Sequence, residues 1–315
     1  MIGTLMTVFL SALLTVSAGP VLNGAEARAV IDALRGNPAA QMAEGPDGGV
    51  ATGERTGTDK TFTGMEPLPE VRYTALDPDN AKGLSTEMIA HSYGVASQGR
   101  VHSISFESQK YFDEKGFNAV TYDDKSEGKL LYLTFDCGYE NGNTGKILDT
   151  LKEKEVPAAF FCTQHEAQTE PELIARMINE GHIVGNHSVH HPNFAKIDAE
   201  KMAGELEGFD NYMRRNFGYC SAFFRYPEGA YSDYALSEVT GHGFKVCFWS
   251  LAYADWDENN QKGADYAFET VTARLHPGAI ILLHSVSGDN AAALGRIIDE
   301  ARAQGYEFRA LTQLP

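Results

Sequence analysis

From Lys129 onward, short apolar runs alternate with amphipathic stretches, and this alternation constrains the fold more than any other feature of the chain. The apolar runs are LLYLTF (130–135), AAFFCT (158–163), HIVGN (182–186), AFFR (222–225), KVCFWS (245–250), AIILLH (279–284) and a weaker YEFRAL (306–311). Between them lie stretches such as TGKILDTLKEK and ELIARMINE, with apolar residues near i, i+3 and i+4. Pro171 suits a first helical turn, and Gly181, Gly243 and Gly305 suit helix ends. Near-continuous apolar strands alternating with helices predict a parallel sheet covered by helices. About seven such units predict a deformed (β/α) barrel, with an open doubly wound sheet as the alternative.

The region before Lys129 is different. Residues 1–18 (MIGTLMTVFLSALLTVSA) carry an apolar run too short for a comfortable membrane span but suited to a signal-peptide core, with small residues at Val16 and Ala18. No Lys or Arg precedes that run, and no Cys follows it to carry a lipid anchor. The expectation is a secreted protein of the cell envelope. Residues 19–67 form the expected flexible linker, poor in large apolar side chains from about Gly36, with a short helix expected at Ala25–Leu34. Residues 68–128 are expected as an irregular lead-in packed on the main domain, residues 129–315.

Asp and Glu number 43 against 26 Lys and Arg, for a formal charge of −17. That balance argues against bulk binding to nucleic acid or anionic lipid. No later segment is long and apolar enough to predict a stable membrane partner. Of the four cysteines, Cys162, Cys220 and Cys247 sit in apolar runs and read as buried small side chains, with a disulfide left open by the expected export.

The polar residues cluster at strand ends. Asp136 and Cys137 follow the first strand, His187 and His191 the third, and Arg225 ends the fourth. Asp255 and Trp256 follow the fifth, and His284 ends the sixth. In parallel α/β folds the carboxyl ends of the strands carry the loops that build the active site. Two imidazoles at i, i+4 can share a divalent metal on one side of a turn, though the spacing alone equally suits surface histidines. Singly, each residue has a plain structural reading: Asp136 a cap, Arg225 an ion-pair partner, Asp255 a turn residue, His284 a core histidine, Trp256 packing. His182, His190, His242 and His276 are expected to be structural.

The strings TFDCG (134–138), HSVHH (187–191), RYPEG (225–229), ADW (254–256) and LLH (282–284) occur in that order. They resemble the five motifs of the polysaccharide deacetylases, the NodB-like carbohydrate esterase family 4. The longer strings YENGNTGKILD, EGHIVGNHS, NNQKG and LLHSVSGDNA resemble the peptidoglycan N-acetylmuramic acid deacetylases that lead to muramic δ-lactam. The resemblance implies a deformed (β/α) barrel with fewer than eight strands and a metal-dependent amidase acting on a peptidoglycan glycan strand. It implies His187 and His191 as metal ligands, Asp136 as catalytic base, His284 as catalytic acid, Arg225 as the residue orienting the base, and Asp255 as the partner of the acid. It implies Trp256 and Leu282 as walls of the acetyl pocket, and an oxyanion-binding backbone N–H near Glu228.

Two positions depart from the family pattern. Cys137 stands where most members have a second aspartate; a thiolate there would give a Cys-His-His site and favour zinc, the alternative being two protein ligands plus solvent. Tyr226 replaces a proline, and Glu228 adds a negative charge at the rim; both bear on substrate fit. Two other functions stay open: deacetylation of N-acetylglucosamine or chitin-like oligomers, and a glycan-binding pseudoenzyme.

Overall fold

The computed structural model describes residues 61–315. The expected signal segment, nearly all of the expected linker and the Ala25–Leu34 helix lie outside the described residues. The fold is a parallel barrel wrapped by helices. Its strands are β2 (Ala119–Val120), β3 (Leu130–Cys137), β4 (Ala158–Cys162), β5 (Ile183–Asn186), β6 (Phe223–Phe224), β8 (Lys245–Cys247), β9 (Ala279–His284) and β10 (Glu307–Phe308). Their order is β10-β3-β4-β5-β6-β8-β2, with β9 also paired to β3 and every pairing parallel. A parallel bridge from Leu251 to Ile281 joins the end of the β8 segment to β9 and closes the ring. The seven runs seen from Lys129 onward all become strands, and β2 adds an eighth from the lead-in.

Strand alternation divides the core into two layers. Leu131, Leu133, Phe135 and Cys137 of β3 point outward, where they pack with Ile147, Leu148 and Leu151 of α2 (Thr144–Glu153) and with Leu294 and Ile298 of α8 (Gly288–Ala303). Tyr132 points the other way, among Phe161, Ile280 and Leu282, and Asp136 follows it on the inner face. Gly181, Gly243 and Gly305 all have positive φ at helix ends, which glycine adopts without a Cβ clash. Pro171 opens α4 (Pro171–Asn179), after the short α3 (Gln164–Thr169).

The lead-in is more ordered than its composition predicts. It supplies α1 (Ser103–Lys115), β2, and β1 (Ile89–Ala90), which pairs antiparallel with β7 (Ala230–Tyr231). Residues 61–68, read from composition mostly as linker, are fastened to the end of α5 (Ala199–Phe217). The N–H groups of Phe62 and Leu68 donate to the carbonyls of Asn216 and Arg214, and Thr63 Oγ1 donates to Phe217 O. Arg214 O also accepts the capping N–H of Gly218, whereas the carbonyls of Asn216 and Phe217 lie in the last turn, where the segment supplies donors that water would otherwise provide. The remaining helices are α6 (Asp233–Gly241) and α7 (Ala264–Thr272). All four cysteines are buried and free, so the disulfide left open by the sequence is absent. Among the described residues no helix is long and apolar enough to cross a membrane.

Candidate active site

The strand ends surround a cavity of about 580 Å³, lined by Asp136, His187, His191, Glu228, Trp256, Leu282 and His284 among others. Asp136 and His284 are register partners on adjacent parallel strands, so both side chains leave the same face of the sheet. Each is held by a different partner.

Arg225 is fully buried beneath Asp136. Its Nη1 donates to Asp136 Oδ1 at 2.8 Å, Nε donates to Cys247 O at 2.8 Å, and Nη2 donates to Phe248 O at 3.2 Å. The guanidinium also lies 4.1 Å from the centre of the Phe161 ring. A planar fork tied at this many points fixes the carboxylate in a way a flexible ammonium cannot. Burial pushes the Asp136 carboxyl up, but Arg225, His187 and His284 together outweigh it and hold the group below the usual carboxylate range.

His187 Nδ1 lies 2.9 Å from the carbonyl of Arg225. A carbonyl only accepts, so Nδ1 carries the proton and Nε2 keeps its lone pair, 3.7 Å from Asp136 Oδ2. Burial lowers its pKa to about 4, leaving the ring neutral at physiological pH. His191 meets it edge-on, with ring centres 4.8 Å apart. The two rings converge from a loop in which Ser188 and His191 have positive φ, rather than from a helical turn. Asn186 Oδ1 accepts the N–H of Ser188, and Glu205 accepts the N–H groups of Val189 and His190. His190 points outward against Glu205, as a structural residue should.

On the other wall, Asp255 Oδ1 accepts from His284 Nδ1 at 2.7 Å, and Oδ2 accepts the backbone N–H of His284 at 2.8 Å. Burial works against protonation of His284, but Asp255 and the charge of Asp136 win and raise its pKa. Asn290 Nδ2 donates to Asp255 Oδ2 at 2.5 Å, and Tyr253 OH donates to Asn290 Oδ1. Sequence reading missed both residues; the only signal was that Asn290 closes the string SGDN after the LLH motif. It also missed Tyr93, Tyr139 and Trp249 in the cavity wall, because these lie outside the strand-end motifs.

Two expected site residues are elsewhere. Cys137 does not face the histidines. Strand alternation puts it on the outer face, in the core with Phe160, Ile147 and Cys162, which rules out the Cys-His-His metal site. Tyr226 is not a pocket residue either; it is 1% exposed and packs among Phe194, Phe224, Tyr231 and Phe248 in the core. Leu282 lines the cavity, whereas Trp256 stands at the rim, 57% exposed and edge-on to His284. Glu228 lines the rim with φ +60, next to Gly229 at φ +63, and accepts from Asn193 Nδ2.

A neutral imidazole with a free Nε2, a second imidazole in contact and a carboxylate alongside fit a divalent ion held by two nitrogen ligands. Among the described residues no three His, Cys, Asp or Glu side chains converge as a metal-binding group.

This is a barrel with a hydrolytic cup at its strand ends, and residues 123–247 match the polysaccharide deacetylase family model. The chain belongs to the polysaccharide deacetylases, enzymes of carbohydrate esterase family 4. It is 45% identical over 187 residues to the peptidoglycan-N-acetylmuramic acid deacetylase PdaA of Bacillus subtilis, covering 59% of this chain and 71% of that one. The solved structure of B. subtilis PdaA superimposes with a TM-score of 0.70 at 38% identity, over 73% of this chain and 98% of that chain. A peptidoglycan-N-acetylglucosamine deacetylase of Bacillus cereus is 34% identical over 188 residues, covering 58% of this chain and 66% of that one.

Proposed function

We propose that this deacetylase removes the acetyl group from N-acetylmuramic acid residues of peptidoglycan glycan strands, with a divalent metal ion at His187 and His191. The observation that carries the chemistry is the pair Asp136 and His284 side by side in one cup, one bonded to Arg225 and the other to Asp255. The choice of sugar is supported by the higher identity to PdaA than to the N-acetylglucosamine deacetylase.

An acetamide resists attack by neutral water. Asp136 takes a proton from the attacking water as general base, and His284 gives a proton to the departing amine as general acid. The backbone N–H of Glu228, at the turn on the rim, would donate to the developing oxyanion. Leu282 forms the apolar floor against the acetyl methyl, and Trp256 covers the sugar from the rim. A metal bound by the two imidazoles would polarise the carbonyl oxygen and acidify water. With Cys137 turned away, the imidazole nitrogens are what remain to favour a borderline ion such as zinc. A glycan-binding pseudoenzyme would have no use for the acid–base pair. We read residues 1–18 as the signal that takes the chain to the cell envelope, and δ-lactam formation in spore cortex as the setting.

The test is product analysis. Metal-loaded protein is incubated with peptidoglycan glycans, with and without stem peptides, and the products are read by tandem mass spectrometry. Acetyl loss from muramic residues is expected. Loss from glucosamine residues alone would overturn the choice of sugar, and binding without loss would overturn the enzymatic reading of this site.

A further inference from the structure

Tyr93 lies outside the stretch that matches the family model, yet it lines the cup. The geometry that brings it there is specific. β1 pairs with β7, and one residue later the N–H of His91 donates to Gly229 O at 2.9 Å. His91 Nε2 then donates to Trp249 O at 2.8 Å, and its ring stacks on Phe248. The strand is thereby laid along the Glu228–Gly229 turn and delivers Tyr93 to the rim, with its ring centre 6.3 Å from that of Trp249. At Gly94 the chain turns away with φ +67, where a Cβ would strike the ring of His102. The backbone of Tyr93 is anchored separately, its carbonyl accepting from Ser105 Oγ at 2.7 Å. Its hydroxyl has no hydrogen-bond partner among the described residues. Burial and the nearby charge of Asp255 outweigh Arg274 and raise the phenol pKa, so the group remains a donor at neutral pH.

We infer that Tyr93 is a substrate-contacting residue, its ring forming one wall of the cup and its free hydroxyl donating to an oxygen of the bound glycan. The segment before the barrel is then part of the active site and not only a tether. This rests on the proposed deacetylation of a glycan in the same cup.

The test uses the full chain with Tyr93→Phe and Tyr93→Ala, assayed on peptidoglycan glycan oligomers. Losing one neutral hydrogen bond predicts a rise in KM of about 3- to 10-fold for Tyr93→Phe. Losing the ring as well predicts a rise of roughly tenfold or more for Tyr93→Ala, with kcat within about twofold in both. The melting temperature should stay within a few degrees, because the Ser105 anchor is to the backbone. Unchanged KM in Tyr93→Ala would overturn the inference, as would a KM change matched by a large fall in melting temperature, the mark of a structural role. Glycan binding followed by the fluorescence of Trp249 and Trp256 separates the two claims. If the wild type binds glycan without turnover, weaker binding by Tyr93→Ala sustains the role of Tyr93 while the deacetylase reading fails. If the wild type does not bind at all, both fail.

Discussion

Asp136 on β3 and His284 on β9 face each other in register across two hydrogen-bonded parallel strands, and each is gripped by a partner of opposite charge. The pairing pushes their pKa values apart in opposite senses: the carboxyl down, the imidazole up. A carboxyl biased toward its ionised form beside an imidazole biased toward its protonated form suits the proposed pairing of general base and general acid.

Arg225 Nη1 donates to Asp136, the proposed base. Arg225→Lys keeps the charge but loses the fork that also ties Cys247 O and Phe248 O. Activity should fall about 100-fold or more, in line with general-base catalysis losing its alignment. Arg225→Ala should also destabilise the fold by roughly 3–5 kcal/mol, because it empties a fully buried guanidinium site and leaves the largely buried Asp136 carboxylate without its partner. Steady-state kinetics and urea denaturation measure the two effects; activity near wild type in the Lys variant would contradict the role.

Asp255→Asn removes the charge that raises the His284 pKa. The His284 proton should then leave at lower pH, so the alkaline limb of the kcat profile moves down and the loss is greater at pH 8 than at pH 6. A pH series on the variant checks the direction; a limb that stays put would show that His284 is not the acid.

Cys137→Ala tests the outward orientation of that thiol. The substitution should cost on the order of 1 kcal/mol of stability through lost core packing, with kcat, KM and metal content unchanged. Loss of bound metal, read by elemental analysis after desalting, would restore a ligand role that the geometry denies.

Glu166 sits fully buried at the start of α3, and neither carboxylate oxygen has a hydrogen-bond partner among the described residues. Burial, with Glu140 and Glu170 nearby, raises its pKa to about 7. The folded state therefore keeps the proton to higher pH than the unfolded chain, and stability falls as pH rises from about 4.5 to about 7. Glu166→Gln removes that slope. The variant should match wild type near pH 4 and exceed it by up to about 3 kcal/mol at pH 8. Denaturation midpoints that respond equally to pH in both proteins would contradict it.

The barrel was legible because its strands are apolar on both faces, a pattern few other structures produce. The lead-in was not, because β1 and β2 are two residues each and owe their pairing to Tyr231 and Val246, far along the chain. Asp136, His187, His191, Arg225, Asp255 and His284 converge because strand ends share one rim. Cys137 was misplaced for a reason visible in the strand itself: neighbours in an extended run face opposite ways, so Asp136 inward sends Cys137 outward. Tyr226 lies beyond the end of β6, where strand alternation no longer assigns its side chain a face. Tyr93 and Asn290 carry no local signal; only tertiary packing brings them to the cup.

The most direct test of the account follows acetate release from muramic-acid glycan by metal-loaded wild type, Asp136→Asn and His284→Gln. General acid–base catalysis by the pair predicts a loss of about 100- to 10,000-fold in kcat for each variant, with glycan binding retained. The double variant should lose far less than the product of the two single losses, since the two groups act as one unit. Turnover within tenfold of wild type in either single variant would contradict the assignment of this register pair as the base and the acid.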